Sequence, residues 1–518
     1  MKIALAQIEV LPGHPDRNVE KILKFITEAK DQNADVIIFP KNSIAGSMIG
    51  NVANQTAFIN DCKSYAEEII NSNDDIKIIF ENVVDESANF RSISDSSPFA
   101  LGNKKIRDDL LSHQAKTENH PIVYVNCVGV QNKGKTIYNF EGASTVYNSS
   151  GEIIFRAKSF EESLNFIDLE KIDSMSPIVE TEEIEAAAIY NALYHGVKSF
   201  LKQIGMNKIV IGISGGIDSA VDTALYTKVL GAENVLLVNM PSKFNSSTTR
   251  NLSEQLAKNL GCNYMIVPIQ ESVDHTVKQL ESTEIIFLKD NSTHQIKISS
   301  FVKENIQARD RSSRILAALA AAFGGGFTCN ANKAETTIGY ATMYGDCAGV
   351  VSALADLWKF QVYALANYIN DEIFQREVIP QGIIDIVPSA ELSTAQNVDE
   401  GKGDPLKYDY HDYLFRSFVE NKFTPEDILN YYAENTLEEM IGCQAGLVKK
   451  YFPTAEEFTN DLERWWKQFT GIAVAKRIQA PPLIAVTDHA FGSDFAESQN
   501  GTYFTRKYKS LKEKLLTK

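Results

Sequence analysis

Residues 214–219 read Ser-Gly-Gly-Ile-Asp-Ser, a set of hydroxyls, glycines and one carboxylate suited to holding a phosphate chain. A β-branched run at 208–213 precedes them, of the kind that forms a strand buried on both faces. A helical pattern begins near Ser219 and continues through Ala220, Val221, Ala224 and Leu225. A strand that turns through Ser-Gly-Gly into a helix aims several backbone N–H groups and a helix dipole at one spot. Glycine is needed there because a Cβ would keep the backbone from the anion, and because such turns often take positive φ. No Gly-Lys-Ser/Thr follows, so the turn is not of the Walker type.

The elements around this turn follow from the apolar pattern. The helix runs to about Leu230, and strands are expected at 233–240 and 263–269. Strand–helix–strand alternation with short joins predicts a doubly wound parallel sheet with ligands at the carboxyl ends of its strands. Residues 270–300 have no strong period and read as a surface insertion. In the first 170 residues, strands are expected at 3–6, 36–39, 76–80, 122–128, 144–147 and 153–155, with a helix over 18–29. That alternation predicts a layered α/β domain. The text between 158 and 181 is charged and irregular, and a new helix is expected from Glu182; the domain boundary is placed near 175, giving domains 1–175 and 176–518.

Bulk properties exclude several classes. The chain has 518 residues, 44% apolar and 23% charged, as in a globular protein of two or three domains. A net charge of −16 argues against loose attraction to nucleic acid or an anionic membrane. Six cysteines without a C-x-x-C pair argue against a zinc site or a disulfide framework. The opening MKIALAQIEV does not read as a signal peptide and no run approaches a membrane span, so a cytoplasmic enzyme is expected.

Two resemblances sharpen this reading. The form SGGIDS resembles the pyrophosphate-binding loop of the ATP pyrophosphatases, which cleave ATP to AMP and pyrophosphate. The segments KIALAQIEVLPGHPDRNVEKI, ADVIIFPKNSIAG, SSPFALGNKKIRDDLL and HPIVYVNCVGVQNKGKTIYNFEGAS resemble the nitrilase-type glutaminase domain attached to many NAD synthetases. Such amidases use a Cys nucleophile, a Glu base and a Lys, which supply thiolate, proton acceptor and oxyanion charge. Here Lys41 stands where the family has that Glu, and Phe80 where it has the Cys; the segment that should carry the Lys is too short. A substitute nucleophile at Cys62 or Cys127 is disfavoured, because a strand cysteine is usually a buried structural thiol. The amino-terminal domain is therefore expected to be a degenerate amidase.

The runs Glu-Asn-Ile-Gln-Ala-Arg (304–309), Asn-Lys-Ala-Glu (332–335), Gly-Tyr-Ala-Thr-Met-Tyr-Gly-Asp (339–346), Pro-Ser-Ala-Glu-Leu (388–392) and Lys-Arg-Ile-Gln-Ala-Pro-Pro (476–482) extend the resemblance across 180–500. The family is NAD synthetase of the long type. It implies a nitrilase-like α/β sandwich followed by a doubly wound parallel sheet of the adenine nucleotide α-hydrolase-like type. It also implies amidation of deamido-NAD through an adenylate, with AMP and pyrophosphate released. By the resemblance, Asp218 and Glu335 match magnesium ligands, and Gly212, Ser214, Gly215, Gly216, Ile217 and Ser219 belong to the ATP loop. Lys359, Asn330 (usually Thr in the family) and Ser389 also match ATP contacts. Asn305, Arg309, Asp346 and Lys476, with Glu335, match contacts to deamido-NAD. Taken without the resemblance, Arg309 and Arg311 read as a solvated helix edge. Asp218, Glu335 and Lys359 are the expected catalytic set. The acidic loop 399–404 is expected to act as a lid. Ammonia is the expected direct donor; glutamine, through a partner glutaminase or a remodelled amidase pocket, is the alternative, and another ATP-pyrophosphatase amidotransferase is a lesser one. A homodimer or larger homo-oligomer is expected.

Overall fold

Alternation of apolar residues along short strands builds two sheets in the first part of the chain. The computed structural model describes residues 1–85, 90–179, 183–492 and 495–517, with side chains of 83–85 left out. They form two compact units, Met1–Phe200 with Ile484–Asp488, and Leu201–Leu483 with His489–Lys518. In the first unit, one sheet has the order Ser163–Asp168, Lys2–Gln7, Val36–Ile38, Lys77–Ile79. The other has the order Ile153–Arg156, Thr145–Tyr147, Ile122–Val125, Phe90–Ser94, Val83–Asp85. Their facing sides share one core: Ile3, Leu5, Val36, Ile38 and Ile79 from the first sheet pack with Phe90, Val123, Val125, Val146 and Ile154 from the second. Side chains on a strand alternate faces, so Ile122 and Tyr124 turn outward. There they pack with Leu111 and Ala115 of the helix Asn103–Glu118. The helix Pro15–Asp31 buries Val19, Ile22, Ile26 and Ala29 along one stripe. This is the expected α/β sandwich.

In the second unit, four parallel strands lie in the order Asn263–Ile266, Val235–Asn239, Ile209–Gly212, Gly326–Phe327. The chain enters at Ile209–Gly212, builds to one side, then returns to build on the other. That strand therefore sits at the switch point of a doubly wound sheet, where a crevice opens beyond the strand ends. Helix Ile217–Leu230 follows directly, and residues 219–227 of it are buried throughout.

Several expectations are corrected. The run 122–128 is two strands, Ile122–Val125 and Val128–Lys133, because the chain leaves one sheet to pair with Thr136–Glu141. Residues 270–300 are not irregular: Gln270–Ser282 is a helix held by buried Val273, and Glu284–Phe287 pairs with Ser292–Gln295 as an exposed hairpin. The helix after the join runs Glu185–Gln203, and its expected start at Glu182 lies outside the described residues. The division between the units falls at its end, after Phe200, so position 175 lies inside the first unit. No helix among the described residues is long and apolar enough to cross a membrane.

Candidate functional site

The turn 213–216 is shaped by a glycine that no other residue can replace. Gly215 has φ +86°, and a Cβ there would stand 2.3 Å from the carbonyl oxygen of Thr249. Around it the hydroxyls close a small ring. Ser214 N donates to Ser219 Oγ (3.3 Å), the two hydroxyls lie 3.2 Å apart, and Gly216 N donates to Ser214 Oγ (3.2 Å). Gly216 is the N-cap of the helix, so the first-turn N–H groups and the positive end of the dipole open beyond it. A cleft of ≈ 270 Å³ lies over this turn, and Gly212, Ser214, Gly215, Gly216, Ile217, Asp218, Ser219, Asn330, Glu335, Asp346, Lys359 and Ser389 all line it.

The charged centre of the cleft is a lysine between two carboxylates. Lys359 Nζ donates to Asp218 Oδ2 and lies 4.0 Å from Glu335 Oε1. Burial opposes the lysine's charge, but Asp218 and then Glu335 outweigh it and raise its pKa above the ordinary value. Burial pushes Glu335 up to about 8; the Asp218 charge adds to this, Lys359 opposes it and Asp404 adds again. Positions are fixed from behind. Asn332 caps the helix Lys333–Ile338 in a reciprocal box with Glu335, and Asn332 Nδ2 donates to Asp218 Oδ1 (3.1 Å). Tyr408 OH donates to Glu335 Oε1 (3.2 Å), and the Tyr408 ring lies 4.9 Å from Lys359 Nζ. Asp412 Oδ2 accepts from Phe360 N (3.0 Å) at the start of the lysine's helix, and burial raises its carboxyl to about 7.

Asp218 and Glu335 are oxygen donors of the kind magnesium takes. No cluster of three or more His, Cys, Asp or Glu among the described residues is arranged to hold an ion. A two-carboxylate seat fits a magnesium whose remaining ligands are phosphate oxygens and water.

Asn305, Arg309 and Lys476 do not line this cleft. With Asp346 they gather instead on the segment 339–346. Lys476 Nζ donates to Gly339 O (2.7 Å) and Ala341 O (2.6 Å), and Arg309 Nε to Met343 O (3.1 Å). Thr342 donates through its N to Asp346 Oδ1 (2.6 Å) and through its hydroxyl to Asn305 Oδ1 (3.0 Å). Asp346 alone of the four also borders the cleft. Asn330 Nδ2 donates to Gly212 O (3.1 Å), and Ser389 Oγ to Gln396 O (2.7 Å).

The acidic loop is folded onto the site. Asp404 Oδ1 accepts from Tyr340 OH (3.1 Å), Ala390 N (3.0 Å) and Gln396 Nε2 (3.1 Å), and Val398 and Asp404 line the cleft. Tyr340 and Asp404 lie in stretches the motifs singled out, the run 339–346 and the acidic loop, but received no individual role; Tyr408 and Asp412 were missed. No local pattern marks these last two, because they reach the site through space; Asn332 could have been found from the N-cap spacing to Glu335.

The amidase-like positions have a different character. The Phe80 ring stacks on Phe39 with centroids 5.2 Å apart, and Lys41 is exposed. Cys127 is fully buried beside Ser96 Oγ at 3.5 Å, and burial pushes its thiol up to about 12. Burial and then Asp61 also raise Cys62. Neither sulfur has the electropositive surroundings that make a reactive thiolate.

The chain is similar to known proteins in both sequence and fold. A family model described as NAD synthase matches residues 189–444. A glutamine-dependent NAD(+) synthetase of Synechocystis sp. is 34% identical over 424 residues, covering 80% of this chain and 66% of the relative. One of Aquifex aeolicus is 26% identical and covers 97% of this chain and 100% of the relative. The match spans 66%, 60% and 66% of the length of the first three curated relatives. The crystal structure of a glutamine-dependent NAD(+) synthetase from Cytophaga hutchinsonii shares the fold with a TM-score of 0.76 at 16% identity, covering 99% of each chain. The enzyme from Acinetobacter baumannii, solved with ADP, gives 0.64 at 23%, covering 96% of this chain and 98% of that one.

Proposed function

We propose that this chain, which belongs to the NAD synthase family, is a ligase that uses ATP to form the C–N bond of NAD from deamido-NAD. The observation that carries the reading is the Asp218–Lys359–Glu335 cluster, seated where a strand turns through Gly215 into a helix at the switch point of the sheet. A nicotinate carboxylate is a poor acyl donor and must first become an adenylate. Its oxygen attacks the α-phosphorus of ATP and pyrophosphate leaves. The first-turn backbone N–H groups of the helix that begins after Gly216, and the helix dipole, receive the departing charge. Lys359, held charged by its two carboxylates, adds a fixed cation. Magnesium on Asp218 and Glu335 would supply further charge neutralisation when bound. Ammonia then attacks the adenylate carbonyl and AMP leaves, with no covalent enzyme intermediate; positioning and charge compensation suffice. The ADP carried by the Acinetobacter baumannii relative supports an adenine nucleotide at this cleft. Asn305, Arg309, Asp346 and Lys476 are assigned to the dinucleotide, around the segment 339–346. Asn330 and Ser389 are assigned to ATP.

For the nitrogen donor, the relatives favour glutamine over the ammonia first expected, since those reported are named glutamine-dependent enzymes. We assign the amide release to a partner glutaminase or to a remodelled amidase pocket in the first unit. Direct use of ammonium is the second reading, favoured by Phe80 and Lys41 at the amidase positions. The reading includes a homodimer or larger homo-oligomer, which sedimentation tests. The deciding assay supplies the purified chain with ATP, magnesium and deamido-NAD, and with amide-¹⁵N glutamine or ¹⁵N-ammonium as the nitrogen source. Labelled NAD with stoichiometric AMP and pyrophosphate is expected. No AMP release with either donor overturns the reading.

A further inference from the structure

Arg309 and Arg311 are two residues apart in sequence and have opposite surroundings. The helix Ser300–Arg309 passes into a π-helical segment, Asp310–Leu316, before Ala317–Phe323 continues as an α-helix. The wider turn changes which side chains face inward, and such segments are frequent at functional sites. Arg309 remains exposed, whereas Arg311 lines the cleft with Ser312 and Leu316. The solvated-edge reading of Arg311 is therefore wrong.

Among the described residues, the guanidinium of Arg311 has no ion-pair partner. Nε donates to Met240 O (3.0 Å) and Nη2 to Asn245 Oδ1 (3.2 Å), both neutral acceptors, and Nη1 has no acceptor among the described residues. The three carboxylates whose fields reach it are committed elsewhere. Asp310 forms a double hydrogen bond with Arg314 (2.5 and 2.8 Å) and accepts from Ser272 (2.8 Å). Glu391 accepts from Ser246 N (3.1 Å), Asn245 Nδ2 (3.3 Å) and Thr249 Oγ (2.7 Å). Asp346 accepts from Thr342 N. The side chain keeps some accessible area, but the concave wall strips away bulk water. Burial accordingly pulls its pKa down to about 10, with the Asp346, Asp310 and Glu391 charges opposing. A guanidinium so placed is still charged at neutral pH, and an unpaired charge in a desolvated site is costly. An arginine with a free N–H facing a cleft is suited to a phosphate.

We infer that Arg311 is the counter-ion of the phosphoryl group that stays with the adenosine moiety of the bound nucleotide. The inference rests on the nucleotide reading of the cleft and assigns a residue that the sequence motifs left on the surface. Its test is titration calorimetry of the full chain with AMP and with adenosine, for wild type, Arg311→Gln and Arg311→Lys. In Arg311→Gln the affinity for AMP falls by roughly tenfold or more, the cost of losing one charge-assisted contact, while adenosine affinity is unchanged. In Arg311→Lys, which keeps a point charge without the fork, the preference for AMP falls less, by about threefold, again with adenosine unchanged. This second variant decides the matter if Arg311→Gln does not fold. If AMP and adenosine weaken together, or the preference for AMP does not move, Arg311 is a clamp on Met240 and Asn245 and the inference is overturned. A wild-type chain that binds neither compound overturns the nucleotide reading itself, a result distinct from the other two.

Discussion

The amidase-like positions of the first unit and the cleft over the glycine turn of the second bring together side chains of very different kinds. Around Phe80 the sandwich is intact, down to the alternation that sends Val123 and Val125 inward and Tyr124 outward. The resemblance assigns the nucleophile position to Phe80, which stacks on Phe39, and the base position to the exposed Lys41, while Cys127 is buried and burial pushes its thiol up to about 12. Around Gly215 the reverse holds. There a buried lysine sits between two half-buried acidic side chains, a cluster of the kind found at functional sites. A fold is preserved by its apolar pattern, which both units retain. A function depends on a few polar side chains, and among the described residues only the second unit gathers a lysine and two acidic residues in its cleft.

The sharpest way to break this contrast is to remove one group from each side. Asp218→Ala should lower deamido-NAD-dependent pyrophosphate release by roughly 10²- to 10³-fold, the scale of losing one preorganised electrostatic group. Cys127→Ser should leave that rate, and NAD formation from either donor, within about twofold of wild type, because a neutral buried thiol does no chemistry. Loss of NAD formation with glutamine but not ammonium in the Cys127 variant would restore a catalytic role to the first unit. Gly215→Ala is the next largest effect. It forces a positive φ on alanine and drives a Cβ into Thr249 O. The two costs together are roughly 2–5 kcal/mol, so a lower melting temperature is expected together with loss of nucleotide binding. A variant that melted like wild type and still bound ATP would show that the turn does not need glycine.

The strands that hold the cleft were legible because parallel strands buried on both faces are near-continuous apolar runs, as at 209–211 and 235–238. The turn was legible because Ser-Gly-Gly-Ile-Asp-Ser is contiguous. Arg311 was not, because helical periodicity assumes a uniform turn, and the π-helical stretch Asp310–Leu316 rotates the residues that follow Arg309. Tyr408 was not, since it reaches Glu335 from a helix distant in sequence, and Asp404 was legible only as part of the acidic loop. In the first unit, Phe90–Ser94 and Ser163–Asp168 were missed because their alternation is diluted by Ser, Asn and Arg.

The two units should also answer pH with opposite signs. His195, half-buried in the first unit against Phe160, is pulled down by burial and then by Lys198 to about 4. Between about pH 4 and 6.5 the unfolded chain binds the proton that folded His195 refuses, so this unit gains stability as pH rises through that window. Asp412 in the second unit is raised by burial to about 7. There the folded state binds the extra proton, so stability is complete near pH 4 and is lost as pH rises toward 7, by up to about 4 kcal/mol. Hydrogen exchange resolved by unit, across pH 4.5 to 7.5 (about the span of both windows), should show the two trends. His195→Phe should flatten the first. Asp412→Asn, which can still accept from Phe360 N, should lessen the second, leaving the part that Glu335, also raised by burial, contributes with the same sign. Parallel trends in both units, unchanged by the variants, would remove these two groups from the account.

The smallest expected effect separates holding ATP from acting on it. Asn330 lines the cleft, but its amide is engaged by the protein: Nδ2 donates to Gly212 O (3.1 Å) and Oδ1 accepts from Thr328 Oγ (2.6 Å). It thus ties the end of one strand to the strand that feeds the glycine turn, and any effect on phosphate is exerted through the position of Gly212. Asn330→Ala removes about 1 kcal/mol of net hydrogen bonding, which is about fivefold in an equilibrium constant. The expected outcome is a rise in KM for ATP of that size with kcat unchanged, the pattern of lost ground-state and transition-state binding in equal measure. A fall in kcat at constant KM would instead place Asn330 among groups that strengthen their hold only as pyrophosphate departs. The polar contacts of the cleft would then share in catalysis, beyond the Asp218–Lys359–Glu335 cluster.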